Sequence, residues 1–158
     1  MEATPQCRQA IEYASAAQSR FGHACLSSGH LIYGLLAVNR GVAEVLRNVG
    51  LTLELAEHHL QSHPFRVEDM VQHRGLLCGQ SAMTAFMRAE QEASKTACRS
   101  LGTDHVLLAI CGETNGAAVD MFDAHKIDRA KMRELLIKRL SAPPSYDFST
   151  LDGLCGEE

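Results

Sequence analysis

Ser28-Gly29-His30-Leu31-Ile32-Tyr33-Gly34-Leu35 and Thr103-Asp104-His105-Val106-Leu107-Leu108-Ala109-Ile110 are two versions of one segment. In each, a small hydroxyl residue suited to a helix start stands two places before a histidine, and a mostly apolar run follows. His30 and His105 are 75 residues apart. The same offset pairs Cys7 with Ala82, Ile11 with Phe86, Ala14 with Ala89 and Gly41 with Gly116. Past Gly116 the second copy gains one residue, so Leu46 matches Phe122 and Leu51 matches Ile127. The chain is therefore an internal duplication.

Working outward from the two segments, helical periodicity fills both halves. Thr4-Pro5 starts a helix with Cys7, Ala10, Ile11 and Ala14 on one face, and Phe21-Gly22 ends it. Ser27-Ser28 caps a second helix, which stops at Asn39-Arg40-Gly41. A third runs from Val42 to Val49, and Thr52 caps a fourth that carries Leu53, Ala56 and Leu60 inward. The second half repeats the order. A long helix places Ala82, Phe86, Ala89, Ala93 and Ala97 inward. Thr103 caps the next, Ala117 to Ala124 is the seventh, and Asp128 caps the eighth, with Met132, Leu135, Leu136 and Leu140 inward.

The expected fold is all-α, two pseudo-symmetric four-helix repeats packed as one eight-helix bundle over residues 3–140. Repeat one spans 3–61 and repeat two 80–140. Between them, 62–79 holds Pro64, Gly75 and Gly79 and predicts a linker with one short helix. Pro143-Pro144 and a polar, Gly-rich end predict a flexible tail over 141–158.

Composition narrows the function. The chain has 158 residues, 46% hydrophobic, 22% charged and 5% aromatic, with no Trp. Fifteen Lys and Arg against nineteen Asp and Glu give a net charge of −4, which disfavours nucleic acid and anionic membrane as main partners. No apolar run is long enough to span a bilayer, and the start lacks the order of a secretory signal. Six widely spaced cysteines, with no Cys-x-x-Cys pair, read as reduced, mostly buried thiols of a cytoplasmic protein.

The two signature segments, with Thr4-Pro5 at the first opening and Gly22-His23 ahead of the second helix, resemble the double-repeat N-terminal domain of the Clp/Hsp100 unfoldases (ClpA, ClpB, ClpC). The resemblance covers about residues 3–140. It implies a non-catalytic recognition module without cofactors. Such a module receives unfolded or tagged substrates or an adaptor protein, or docks onto a Clp ATPase or ClpP. It also implies that Ser28, His30, Thr103, Asp104 and His105 lie at ligand- or partner-binding positions. In ClpC-like members the acidic residue of each signature helps bind phosphorylated arginine. Here the first such position is Gly29 and the second is the shorter Asp104, so the first half is expected not to bind that group by the same route. Both halves carry the histidine while one keeps the acid, so tying down the preceding loop fits His30 and His105 better than ligand contact. Thr150-Leu151-Asp152 resembles a segment often found where the first ATPase module of an unfoldase begins.

Other chemistry finds little support. His58, His59 and His63 invite a metal, but Pro64 ends the helix and no His-Glu-x-x-His is present, so a solvated helix end is the expected reading and no metal site is assigned. Lys95-Thr96 lacks a Gly-rich phosphate loop, and no Gly-x-Ser-x-Gly elbow occurs. Cys25 near His23 is the best thiol candidate, with core packing expected instead, and no catalytic residue is assigned. Met83, Met87, Met121 and Met132 would suit an adaptable peptide groove or the core. The alternative function is a metal- or redox-responsive regulator using His and Cys.

Overall fold

The structure, a computed structural model, describes residues 1–65, 67–95 and 99–141. Ala97, Cys98 and the tail beyond Ser141, with its Thr150-Leu151-Asp152 segment, lie outside the described residues. Eight helices occur among the described residues: α1 (Pro5–Arg20), α2 (Ser28–Val38), α3 (Val42–Asn48), α4 (Leu53–Ser62), α5 (Gln80–Lys95), α6 (Thr103–Cys111), α7 (Ala117–Ala124) and α8 (Arg129–Leu140). Four short strands accompany them: β1 (Glu2–Ala3), β2 (Met70–His73), β3 (Leu76–Gly79) and β4 (Ser100–Leu101).

Local chemistry sets most helix ends. Thr4, Thr52 and Asp128 accept from the backbone N–H groups of Cys7, Leu55 and Lys131, supplying partners to donors that the first turn cannot pair internally. Pro5 occupies the first helical position of α1. Asn39 closes α2 in the left-handed conformation that Asn tolerates. One expected cap is corrected: Gly102, not Thr103, is the N-cap of α6.

The helices bury one continuous core drawn from both halves. Helices α2 and α6 are its centre, with every residue from Ser28 to Leu36 buried and all but Leu108 buried in α6. Against α2, helix α1 crosses so closely that a Cβ on Gly34 would lie 2.1 Å from the Ala10 carbonyl oxygen. Glycine is required there by contact, not by backbone angle. The repeat places Ala109 at the same site of α6, so the second crossing leaves room for a methyl group.

Residues 70–79, expected within a linker with one short helix, form an antiparallel hairpin in which Met70 pairs with Gly79 and His73 with Leu76. Arg74 and Gly75 both have positive φ, 54° and 76°, the pair of left-handed residues that a tight two-residue turn needs. Strand β3 then leans on the segment ahead of α2, with Leu26, the residue before the N-cap, bridging Cys78 in parallel. Strand β1 pairs in parallel with β4 in the same manner.

Candidate functional site

The five signature residues sit at the starts of α2 and α6, and all are buried: Ser28, His30, Thr103, Asp104 and His105 are at most 2% exposed. In both halves the histidine Nδ1 accepts the N–H of the N-cap residue at 2.9 Å, from Ser27 to His30 and from Gly102 to His105. This is the N3-to-N-cap arm of a capping box, with imidazole in place of Glu or Gln; Gly102 has no side chain to supply the return arm. His30 then presents Nε2 to His23 Nδ1 at 2.8 Å. Burial, helped by neighbouring His23, pushes the His30 pKa down to about 3. With Nδ1 accepting, neutral His30 carries its proton on Nε2 and donates it to His23.

Beyond the shared histidine, the two helix starts diverge. In the second half, Asp104 is fully buried, and its Oδ1 accepts from Arg139 Nε on α8 at 3.0 Å. The carboxylate that would receive an external guanidinium already holds an internal one. In the first half the position equivalent to Asp104 carries no carboxylate, and a Cβ on Gly29 would meet Leu60 at 3.3 Å and Ala117 at 3.4 Å. The repeat aligns Arg139 with His63. His63 instead stacks on His59, with ring centroids 4.0 Å apart, beside a cavity of about 340 Å³ that Phe65 and Asp120 also line.

The expected solvated helix end holds for His58 and His63, which are exposed, but not for His59, which is 6% exposed and faces His125 at 5.5 Å. Burial first, and then His63, His125 and His58, drive its pKa down to about 4. The pattern of three histidines near Pro64 carried no sign of this, because His125 joins from the other half.

A polar seam ties the halves together at Ser28. Its N–H donates to Ser81 Oγ at 3.0 Å, its hydroxyl donates to Glu113 at 3.0 Å, and its oxygen accepts from the Ala118 N–H at 2.9 Å. Ser81 in turn gives its N–H and hydroxyl to the Glu68 carboxylate at 2.6 and 2.9 Å. Burial raises the Glu113 pKa and nearby Glu68 adds to it, while the Ser28 bond opposes both. Sequence reasoning missed Glu68, Ser81, Glu113 and Arg139, because each meets its partner at a separation that helical periodicity does not reach. Ser81 and Glu113 join Ser28 across the duplication, Glu68 reaches Ser81, and Arg139 reaches Asp104 within the second half.

The remaining candidates are structural. Cys7, Cys25, Cys78 and Cys111 are free and buried. Burial raises the thiol pKa of Cys25, and takes Cys78 and Cys111 up to about 11, away from reactivity. Met121 and Met132 are core residues, while Met87 is exposed, so the four methionines do not line one groove. Among the described residues, no three His, Cys, Asp or Glu side chains are grouped to hold a metal ion. No helix among them is long and apolar enough to cross a membrane.

With the duplicated helix starts in place, comparison with known families is decisive: residues 2–125 match the Clp repeat (R) N-terminal domain. The chain belongs to that family. Among curated relatives of this Clp repeat domain is a probable ATP-dependent Clp protease ATP-binding subunit of Chlamydia pneumoniae, 30% identical over 149 residues, covering 90% of this chain and 18% of the relative. The chloroplastic chaperone protein ClpC3 of Oryza sativa subsp. japonica is 27% identical, covering 87% and 15%. The chain thus spans less than a fifth of these relatives' length. In structure, the Clp repeat domain is similar to the N-terminal domain of ClpD from Arabidopsis thaliana, with a TM-score of 0.73 at 14% identity, covering 89% of this chain and 96% of that one. The Hsp104 N-terminal domain of Candida albicans gives 0.72 at 13%, covering 90% and 94%. At these identities the likeness supports the fold alone.

Proposed function

We propose that this Clp repeat domain is a non-catalytic protein-recognition module. It binds substrates or adaptors for a Clp ATPase–protease machine, or docks onto that machine, in the cytoplasm. The observation that carries the reading is the family match over 2–125 within a chain whose duplicated signatures are both intact as capped helix starts. Its partners are protein chains: a Clp ATPase, ClpP, an adaptor, or unfolded and tagged clients.

The binding positions that the family resemblance assigns need restating in physical terms. Ser28, His30, Thr103, Asp104 and His105 act on a partner by holding the helix starts and the seam between the halves. For Asp104 to hold a phosphorylated arginine, Arg139 must first give up its ion pair. Leaving either partner of a buried pair alone is costly, so such binding is weak. The absence of an acid at Gly29 removes the equivalent contact in the first half.

Affinity capture with the intact chain from a native lysate tests the proposal. Enrichment of a Clp ATPase, ClpP, an adaptor or unfolded clients is expected. A capture that recovers none of them contradicts it. For phosphoarginine, titrating the free amino acid while following the Asp104 and Arg139 signals is the check. Shifts there at low ligand would overturn the weak-binding expectation.

A further inference from the structure

The duplication compares surfaces as well as helices. At an offset of 75 residues, Met1, Ala3 and Thr4 correspond to Leu76, Cys78 and Gly79. The structure keeps the correspondence. Ala3 lies opposite Leu101, and Cys78 lies opposite Leu26. The Thr4 N–H donates to the Leu101 carbonyl at 2.9 Å, and the Gly79 N–H donates to the Leu26 carbonyl at 2.7 Å. The strand that opens each half therefore lies, in parallel, on the residues leading into the other half's signature helix: β1 ahead of α6, and β3 ahead of α2.

The outer edges of these two strands differ. Strand β3 is covered by β2, whose His73 ring lies 5.5 Å from Phe86, while Arg74 in the turn pairs with Glu90 at 2.5 Å. Strand β1 pairs with β4, and no strand covers its outer edge among the described residues. Phe86 and Glu90 of α5 correspond to Ile11 and Ser15 of α1. Those two residues, with Met1, Ala3, Ala16 and Leu76, line an open groove of about 700 Å³ beside β1. The groove is the first-half counterpart of the surface that β2 occupies in the second half.

Its edge already makes the bonds a strand would make. The Met1 and Ala3 carbonyls are two residues apart, as alternate groups on one strand edge are. Arg74 Nη2 donates to the Met1 carbonyl at 2.8 Å, and Arg8 Nη1 donates to the Ala3 carbonyl at 3.0 Å. Their counterparts, Leu76 and Cys78, lie opposite His73 and Val71 of β2. Two guanidinium groups thus stand where the second half has a neighbouring strand.

We propose that this groove is a strand-addition site, taking an extended, uncharged aliphatic segment of a partner protein antiparallel to β1. The differences between the halves set that chemistry. Ile11 replaces the aromatic platform that Phe86 gives His73 and Arg74, so the floor suits an aliphatic side chain. Ser15 replaces Glu90, so the carboxylate that holds Arg74 has no counterpart. Glu2 and Glu12 on the rim are balanced by Arg8 and Arg74. The proposal rests on the reading that the domain recognises protein chains, and it locates one place where it does so.

The test uses the intact chain, labelled with 15N, and the blocked peptide acetyl-Thr-Val-Gln-Val-Thr-Val-amide. A second peptide of the same sequence is N-methylated at alternate residues to remove the donors. Saturable shifts at Glu2, Ala3, Ile11 and Ser15 with the first peptide, lost with the second, are expected. Ser15→Glu is a part-exposed change whose folding is checked by circular dichroism. It should raise affinity severalfold for a peptide with Arg at the central Val. No shift at about millimolar peptide, equal shifts with the methylated peptide, or shifts confined to another face would overturn the proposal. So would groove signals that move, without peptide, on deleting 142–158 or on raising the chain concentration, since the tail or a second copy would then hold the site. Capture of a Clp partner alongside a failed titration would sink the groove and leave the recognition role standing. The reverse pair of results would do the opposite.

Discussion

The two halves of this chain share a fold and differ at the proposed binding positions. In the second half the start of the signature helix is closed by the Asp104–Arg139 pair, and the strand ahead of α5, β3, is covered by β2. In the first half the acid is Gly29, the arginine position is His63, and the strand edge faces an open groove. One half has spent its polar groups on internal contacts, and the other has left a surface uncovered. Duplication supplied two equivalent frames, and a few side chains made one closed and one open.

The comparison can be broken by substitution. The largest effect is expected at the closed site. Asp104→Ala strands Arg139, whose side chain is 14% exposed, and should cost about 3–5 kcal/mol in urea unfolding. Restoring much of that loss with Arg139→Met in the same chain would fit the ion-pair account. No loss from Asp104→Ala would contradict it.

Next is the crossing of the first two helices. Gly34→Ala puts a methyl group into the Ala10 backbone carbonyl and should cost about 3 kcal/mol. The mirror change, Ala109→Gly, should cost only about 1 kcal/mol, through backbone entropy. Equal costs at the two sites would mean that the crossings are equally tight.

Acid should separate the halves less sharply. His30 and His59 are buried and neutral, with pKa values near 3 and 4 against an ordinary 6.5. An unfolded chain takes up protons on both imidazoles below pH 6.5, while the native state resists until the lower values are reached. Stability is therefore full above about pH 6.5 and falls as the pH drops through 4 toward 3. His59→Phe should flatten part of that decline, read as the urea midpoint against pH. An unchanged slope would show that His59 titrates normally.

The smallest effect is chemical. Native Cys25, Cys78 and Cys111 should resist alkylation at neutral pH and react only on unfolding, as followed by mass spectrometry. Rapid labelling of Cys25 in the native chain would revive a redox role.

Helix boundaries and the duplication were legible because they rest on local signals. Thr4-Pro5, Thr52 and Asp128 act within one helical turn, and the paired apolar faces repeat at a fixed offset. The hairpin at 70–79 was not, since Arg74-Gly75 is a weak turn signal and Met70, Val71 and Leu77 stay partly exposed, blurring the alternation. Nor was the real setting of the candidate site. Asp104 meets Arg139 across 35 residues, and Ser28 meets Glu113 across 85, distances over which periodicity carries no information. The histidines show the same division: capping by His30 and His105 follows from spacing, but the burial of His59 depends on His125 in the other half.

The central claim, that this Clp repeat domain engages protein chains for a Clp machine, is tested most directly in a degradation assay. Purified chain is titrated into a ClpC–ClpP pair degrading an unfolded, labelled substrate. The account predicts a saturable fall in the degradation rate, as the free domain competes for substrate, adaptor or docking surface. An unchanged rate at saturating chain, with no binding of the chain to the ATPase, to ClpP, to an adaptor or to the substrate, would contradict it.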